Sequence, residues 1–325
     1  MAKPAFEIDV SHAAQSSLEA HSALATVDPV TCHHLSQKLR LPLGIYNVSI
    51  ARMADRLISL CARAESYFKA ADGLKGLNSK RSLRTELIDF MELAIYAAAE
   101  HVDDIDSIAK GFYRNTQKAS KTAAYRTLNS DVKSHKRFLA TVANAIKHQQ
   151  SRIRLYSCEF RQPGVRGCLH GYFVEGVENG VVGPDKLLHT LHDVFSITSL
   201  PWEIITLVLR SSRSLRAFLS SEATLASGNA DVHSERFSDA VVAAARLPLY
   251  TFGEEHPFAR TTVTIKTSSG NPPDFDSGLY GSIRLPWTTT SAPTFGPDQT
   301  EFEGDGSTRT FRLAHPKSVA FQHWQ

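Results

Sequence analysis

A chain of 325 residues, 42% hydrophobic and 21% charged, has the make-up of a globular protein with room for two domains, or for one large domain with an appendage. Four cysteines without CxxC spacing exclude a disulfide-rich secreted scaffold. No apolar run approaches the ~20 residues of a membrane span, and the first residues lack an apolar signal segment, so a cytoplasmic location without a membrane partner is expected.

Residues 1–45 read as an arm with one short helix. Asp28-Pro29 is an N-cap followed by proline at the first helical position, and Pro42 with Gly44 breaks the helix begun there. Residues 46–150 read as three long helices packed as an antiparallel bundle. Over Tyr46–Ala71, the residues Tyr46, Ile50, Met53, Leu57, Leu60, Ala64 and Phe68 mark one apolar face, and Asp72-Gly73 ends it. Ser82–Lys110 forms the second helix. Thr116–Gln150 reads as the third, a single helix on which Tyr125, Leu128, Val132, His135, Leu139, Val142 and Ile146 recur at alternating steps of three and four.

After Gln150 the period falls to two. Residues 151–258 are expected to form a small hairpin sheet plus helices. Arg152 to Phe160 alternates as a strand, and Asn179-Gly180 is a hairpin turn between Gly171–Val177 and Val181-Val182. Helical patterns return at Asp185–Phe195, Pro201–Leu219 and Ser234–Arg246. Residues 259–325 read as strand and loop, with strands at Thr261–Thr267, Tyr280–Leu285 and Thr308–Leu313. Eleven Gly or Pro between residues 268 and 306 argue for long loops between them. The fold class is α+β, mainly α: an N-terminal antiparallel helical bundle, a smaller α+β part and a strand-rich tail.

The charge is segregated. Residues 109–161 hold twelve Lys or Arg against Asp131 and Glu159, a local +10, so the rest of the chain sums to −7 under a total of +3. Such a stripe is the footprint of a polyanion site. Residues 86–106 carry seven acidic residues and no Lys or Arg, and an acidic helix laid along the basic one would neutralise it internally. On the third helix, Asn144 and His148 stand four apart on the face opposite Ile146, with Arg137 and Thr141 on the same side. Imidazole transfers protons near neutral pH, and Lys147, Arg152 and Arg154 offer charge to a phosphate.

Other groupings have simpler accounts. His189-x-x-His192-Asp193 has helical metal-ligand spacing but no third ligand, and Cys32-His33-His34 is a weaker version of it. His135 falls on the apolar stripe, as a core histidine does. Glu254-Glu255-His256-Pro257 is an exposed turn, and Phe160–Gly171 matches no phosphate-cradling loop. No Walker, Rossmann or Gly-x-Ser-x-Gly fingerprint occurs, which argues against kinase, dehydrogenase and common hydrolase chemistry. No metal or cofactor is expected.

A long helical bundle with Asn144-x-x-x-His148 on a late helix and a basic strand after it resembles the HEPN superfamily of bacterial and archaeal helical proteins. The resemblance covers about Tyr46–Arg154. It implies an RNA-associated homodimer and a metal-independent ribonuclease of a toxin–antitoxin, phage-defence or stress system, with a site composed across the two copies. His148 would then transfer a proton or bind phosphate, Asn144 would orient substrate, and Lys147 with Arg152 would hold phosphate. Lys133, Lys136, Arg137, Arg152 and Arg154 would make the nucleic-acid face. The family's motif arginine falls on Ala143, which points to a degenerate site, and the chain's Arg-x5-His, Arg309 to His315, lies in the tail. The alternative is a non-catalytic scaffold whose basic helix pairs with the acidic one and whose C-terminal region docks a protein partner.

Overall fold

The structure is a computed structural model and describes residues 6–9, 18–70, 81–162, 165–190, 193–225, 234–248, 250–252, 263–266, 294–300, 310–312 and 320–321. It is mainly helical with a small antiparallel sheet. The elements are β1 (Phe6–Asp9), α1 (Glu19–Ala25), α2 (Pro42–Ala70), α3 (Arg81–Lys110), α4 (Thr116–Ala119), α5 (Ala123–Gln149), β2 (Ile153–Gln162), β3 (Val165–Glu178), β4 (Val181–Pro184), β5 (Phe195–Ser196), α6 (Ser199–Glu222), α7 (Glu235–Ala245), β6 (Tyr250–Thr251), β7 (Val263–Lys266), β8 (Thr294–Thr300) and β9 (Ala320–Phe321).

Helices α2, α3, α5 and α6 run alternately up and down. Arg52 of α2 meets Asp104 of α3, Arg63 meets Glu86, and Tyr113 beyond the end of α3 reaches Glu222 at the end of α6. The apolar face of α2 buries Tyr46, Ile50, Met53, Leu57, Leu60 and Ala64 as the periodicity requires. α6 is different: it buries Trp202, Ile204, Ile205, Leu207, Val208 and Leu209 around its whole circumference, so it is the central helix of the bundle. The bundle therefore takes its fourth long helix from beyond residue 150, and the main apolar cluster runs through both halves of the chain, with a smaller one around Tyr156, Phe173 and Tyr250. α1 and α7 flank it. Arg213 on Glu19 ties α1 to α6, while Arg236 on Asp55 and Arg246 on Glu65 tie α7 to α2.

Strands β4, β3, β2 and β8 form the sheet in that order, with β5 added to β3. Asn179 and Gly180, at φ 52° and 77°, make the expected hairpin turn between Glu178 and Val181, where two left-handed residues match the strand twist. Gly171 is required where β5 crosses, since a Cβ there would lie 2.6 Å from the Phe195 carbonyl oxygen. Two further pairs close the chain on itself: β1 with β7, parallel, and β6 with β9.

Several expectations are corrected. The basic helix is not one piece from Thr116: Asn115 caps α4, and after a turn Thr122 accepts the Tyr125 amide to start α5. Pro42 does not break a helix but begins α2, where a missing N–H costs nothing. The short helix after Asp28 is two 3₁₀ turns, Pro29–Thr31 and His34–Gln37. Residues 18–27 are no loose arm, because Leu18, Ala20, Ala23 and Leu24 are buried. The described residues of the stretch 185–195 are not helical: Asp185 Oδ1 accepts the Leu187 amide in a turn, and His189 Nε2 accepts the Val174 amide of β3. Within the stretch expected to hold long loops, Thr294–Thr300 forms β8 and pairs with β2, and residues 268–293 and 301–306 lie outside the described residues. The expected strand at Tyr280–Leu285, the Glu254–Pro257 turn, His192, Arg309 and His315 lie outside the described residues.

Candidate nucleic-acid interface

Helix α5 is held by its apolar face, where Tyr125, Leu128, Val132, Leu139, Val142, Ala143 and Ala145 are buried. His135 is half-buried on that side, and burial, then Arg210, pushes its pKa down to about 4. At ~100° per residue, Arg126, Lys133, Arg137, Asn144 and His148 fall within an arc of about 60°. All five are exposed. They make a straight line about 33 Å long at ~1.5 Å of rise per residue. Lys136 and Lys147 flank this line on the side toward α3, and the Lys147 ammonium sits 4.4 Å from the centre of the Tyr96 ring.

The fate of the acidic helix decides how much positive field survives. Glu100 and Asp104 of α3 are taken by Arg52 of α2 at 3.1 and 2.7 Å, and Glu86 by Arg63 at 3.3 Å. Asp106 accepts from Lys110 of its own helix and from the Tyr125 hydroxyl, each at 2.5 Å. Asp103 reaches Lys136 at 3.4 Å. Among the described residues, Lys133, Arg137, Lys147 and Arg152 meet no carboxylate.

Arg154 sits apart from that face. Its Nε lies 2.6 Å from Glu175 Oε1, and each side chain is 11% exposed. Expected on the nucleic-acid face, it is instead half of an ion pair across β2 and β3. Ala143, where the family motif has arginine, is 3% exposed, so a guanidinium has no room there without displacing the core.

Two hollows adjoin α5. One, of about 670 Å³, opens beyond its C-terminus between Gln149, Ser151 and the β3–β4 hairpin, with Val177, Lys186, Leu187 and Arg312 on its walls. The other, of about 280 Å³, lies between α3 and α5 and is lined by Asp103, Asp106, Lys110, Tyr125, Lys133 and Lys136. The alternation of charge on the two helices hints at the second. The first joins segments over 100 residues apart, such as Gln149 and Arg312, and has no linear signature. No group of three or more His, Cys, Asp or Glu able to hold a metal occurs among the described residues. The His189 ring is spent on the Val174 amide and on Phe195, 4.3 Å away.

Compared with family models, curated proteins and solved structures, the chain matches none.

Proposed function

We propose that this protein is an HEPN-like, RNA-associated protein whose α5 face holds the phosphate backbone. The observation that carries the reading is the exposed line Arg126, Lys133, Arg137, Asn144 and His148, with Lys147 beside it, left unneutralised because α3 spends most of its carboxylates on α2 or on itself. A scaffold in which the acidic helix consumes the basic one would need those pairs to run from α3 to α5, and Lys136–Asp103 is such a pair among the described residues.

In this reading Lys133, Arg137, Lys147 and Arg152 hold phosphates, Asn144 orients the sugar and His148 is the proton-transferring group of metal-independent cleavage. The buried Ala143 leaves His148 without a neighbouring arginine on its own helix, so cleavage draws its guanidinium from Arg152 just beyond α5 or from a second copy of the chain, as the homodimer of the family resemblance would supply it. A bacterial defence or stress system is the setting the family resemblance suggests.

The test is binding and cleavage of a mixed RNA pool by the wild type, by His148→Ala and by Lys133→Glu/Arg137→Glu, at low and moderate salt. Salt-sensitive binding lost in the double variant supports the interface. Cleavage abolished by His148→Ala supports the ribonuclease. Binding without cleavage leaves an RNA binder of degenerate site, and neither activity moves the protein to the scaffold class.

A further inference from the structure

The end of the bundle where α2 begins and α3 finishes carries a second surface, distinct from the α5 line. Residues 28–41 cross this end as the two 3₁₀ turns and are fixed there by three hydrogen bonds. The His33 amide donates to the Gly111 carbonyl at 2.7 Å, and the Gln37 side-chain amide donates to the carbonyls of Lys110 and Tyr113 at 3.0 and 2.8 Å. Held this way, Val30 is 88% exposed, Leu35 80% and Leu41 44%. These are three of the seven large apolar side chains exposed among the described residues, and their gathering within residues 30–41 is what separates a patch from ordinary scatter.

The same end is basic. Lys38, Arg40, Arg114, Lys118 and Lys121 are exposed and meet no carboxylate among the described residues. Residues 29–41 and 107–130 contain no Asp or Glu. Of the bordering carboxylates, Asp106 is offset by Lys110, while Asp28 and Glu222 accept from neutral donors, the Val30 amide and the Tyr113 hydroxyl, and keep their charge, which leaves the five cations in excess.

We propose that this end of the bundle seats on an anionic lipid surface, with Val30 and Leu35 entering the headgroup layer and Lys38, Arg40, Arg114, Lys118 and Lys121 lying over the lipid phosphates. An RNA backbone would use the cations but gain nothing from two protruding aliphatic side chains. A short peptide would be held in a groove, and neither hollow beside α5 is lined by Val30 or Leu35. A bilayer surface rewards both features at once, by apolar burial and by attraction of four to eight clustered cations to acidic headgroups. No described helix is long and apolar enough to cross a membrane, so the attachment is peripheral and reversible.

The experiment is co-sedimentation of the full chain with vesicles of phosphatidylcholine alone and of phosphatidylcholine with phosphatidylserine. The variants are Val30→Ser/Leu35→Ser, Lys118→Glu/Lys121→Glu and, as a control, Arg137→Glu, each checked for unchanged helicity. Expected is binding to the phosphatidylserine vesicles only, reduced at least ~10-fold by the Lys pair, since each surface cation contributes roughly 5-fold. Loss in the Val30/Leu35 variant and retention in Arg137→Glu complete the expected pattern. Absence of binding, or binding indifferent to Val30 and Leu35, overturns the proposal. RNA affinity that falls in the Val30/Leu35 variant also overturns it, by giving this surface to RNA. Because the α5 reading is tested by Arg137→Glu on RNA, either inference can fail without the other.

Discussion

Lys136 of α5 reaches Asp103 of α3 across 3.4 Å, and it is the link through which the acidic helix touches the cations of the basic one among the described residues. The pair is loose and its Asp103 side chain is 77% exposed, so it screens little of the field around Lys133 and Arg137. RNA affinity should therefore fall steeply with salt. Lys133→Ala and Arg137→Ala should each lower the slope of log K against log salt by about 1, with little change in stability. A titration series in KCl measures this, and a slope that stays unchanged in both variants removes α5 from the interface.

Arg154 and Glu175 behave as an interior pair and should respond unlike the surface cations. Arg154→Ala leaves the buried Glu175 carboxylate without the guanidinium 2.6 Å from it and should cost about 3 kcal/mol of unfolding free energy while sparing RNA binding. Arg152→Ala, at an exposed position, should do the opposite. Urea unfolding and RNA titration on the two variants distinguish them.

Acid should unfold the protein earlier than its carboxylates alone require. His101 is buried with Nδ1 2.9 Å from the Ser49 hydroxyl, and burial, with Arg52 nearby, pulls its pKa down from 6.5 to about 4. His170, buried against Ser157, is pulled by burial to about 3. The folded protein thus holds both rings neutral, and the unfolded chain takes up their protons first. Their contribution is present above about pH 6.5 and is lost as pH falls toward 4, at roughly 1.4 kcal/mol per pH unit for each ring. Denaturant midpoints across that window should drop, and His101→Gln should flatten the drop.

Gly171→Ala should destabilise by about 2 kcal/mol, because the added methyl meets the Phe195 carbonyl and the Phe252 ring and must part β5 from β3. Gly180→Ala, at φ 77° with open space around it, should cost about 1 kcal/mol through backbone strain alone. Thermal unfolding of the two variants ranks them.

The helices were legible because their burial repeats locally. Tyr46 to Ala64 and Tyr125 to Val142 show the 3.6 period on the page, and Asn179-Gly180 shows the hairpin. The Asn144–His148 face was readable for the same reason. What was not legible depends on partners far away in the chain. His189 stands at helical spacing from His192 in the sequence, yet its ring answers to the Val174 amide on a strand. Arg154 alternates as a surface residue would, and only Glu175 on the next strand turns it inward. The parallel register of Phe6–Asp9 on Val263–Lys266 joins segments more than 250 residues apart, and no short-range pattern encodes it. Pro42 was ambiguous because proline both ends and begins helices, and only its position in the first turn decides which.

The central place of α6 sets an order on biosynthesis. α2, α3 and α5 leave the ribosome before it, with the faces of α3 and α5 that it will cover still open, and the strands β2 to β4 are made next. Only when residue 222 has emerged can the chain slide Trp202 to Leu209 into the space those helices leave. The nascent protein therefore spends the synthesis of some 70 residues after α5, several seconds at ~5–20 residues per second, as an open three-helix sheaf. A chain interrupted between residues 150 and 222 would present that sheaf permanently, as a substrate for chaperones and proteases.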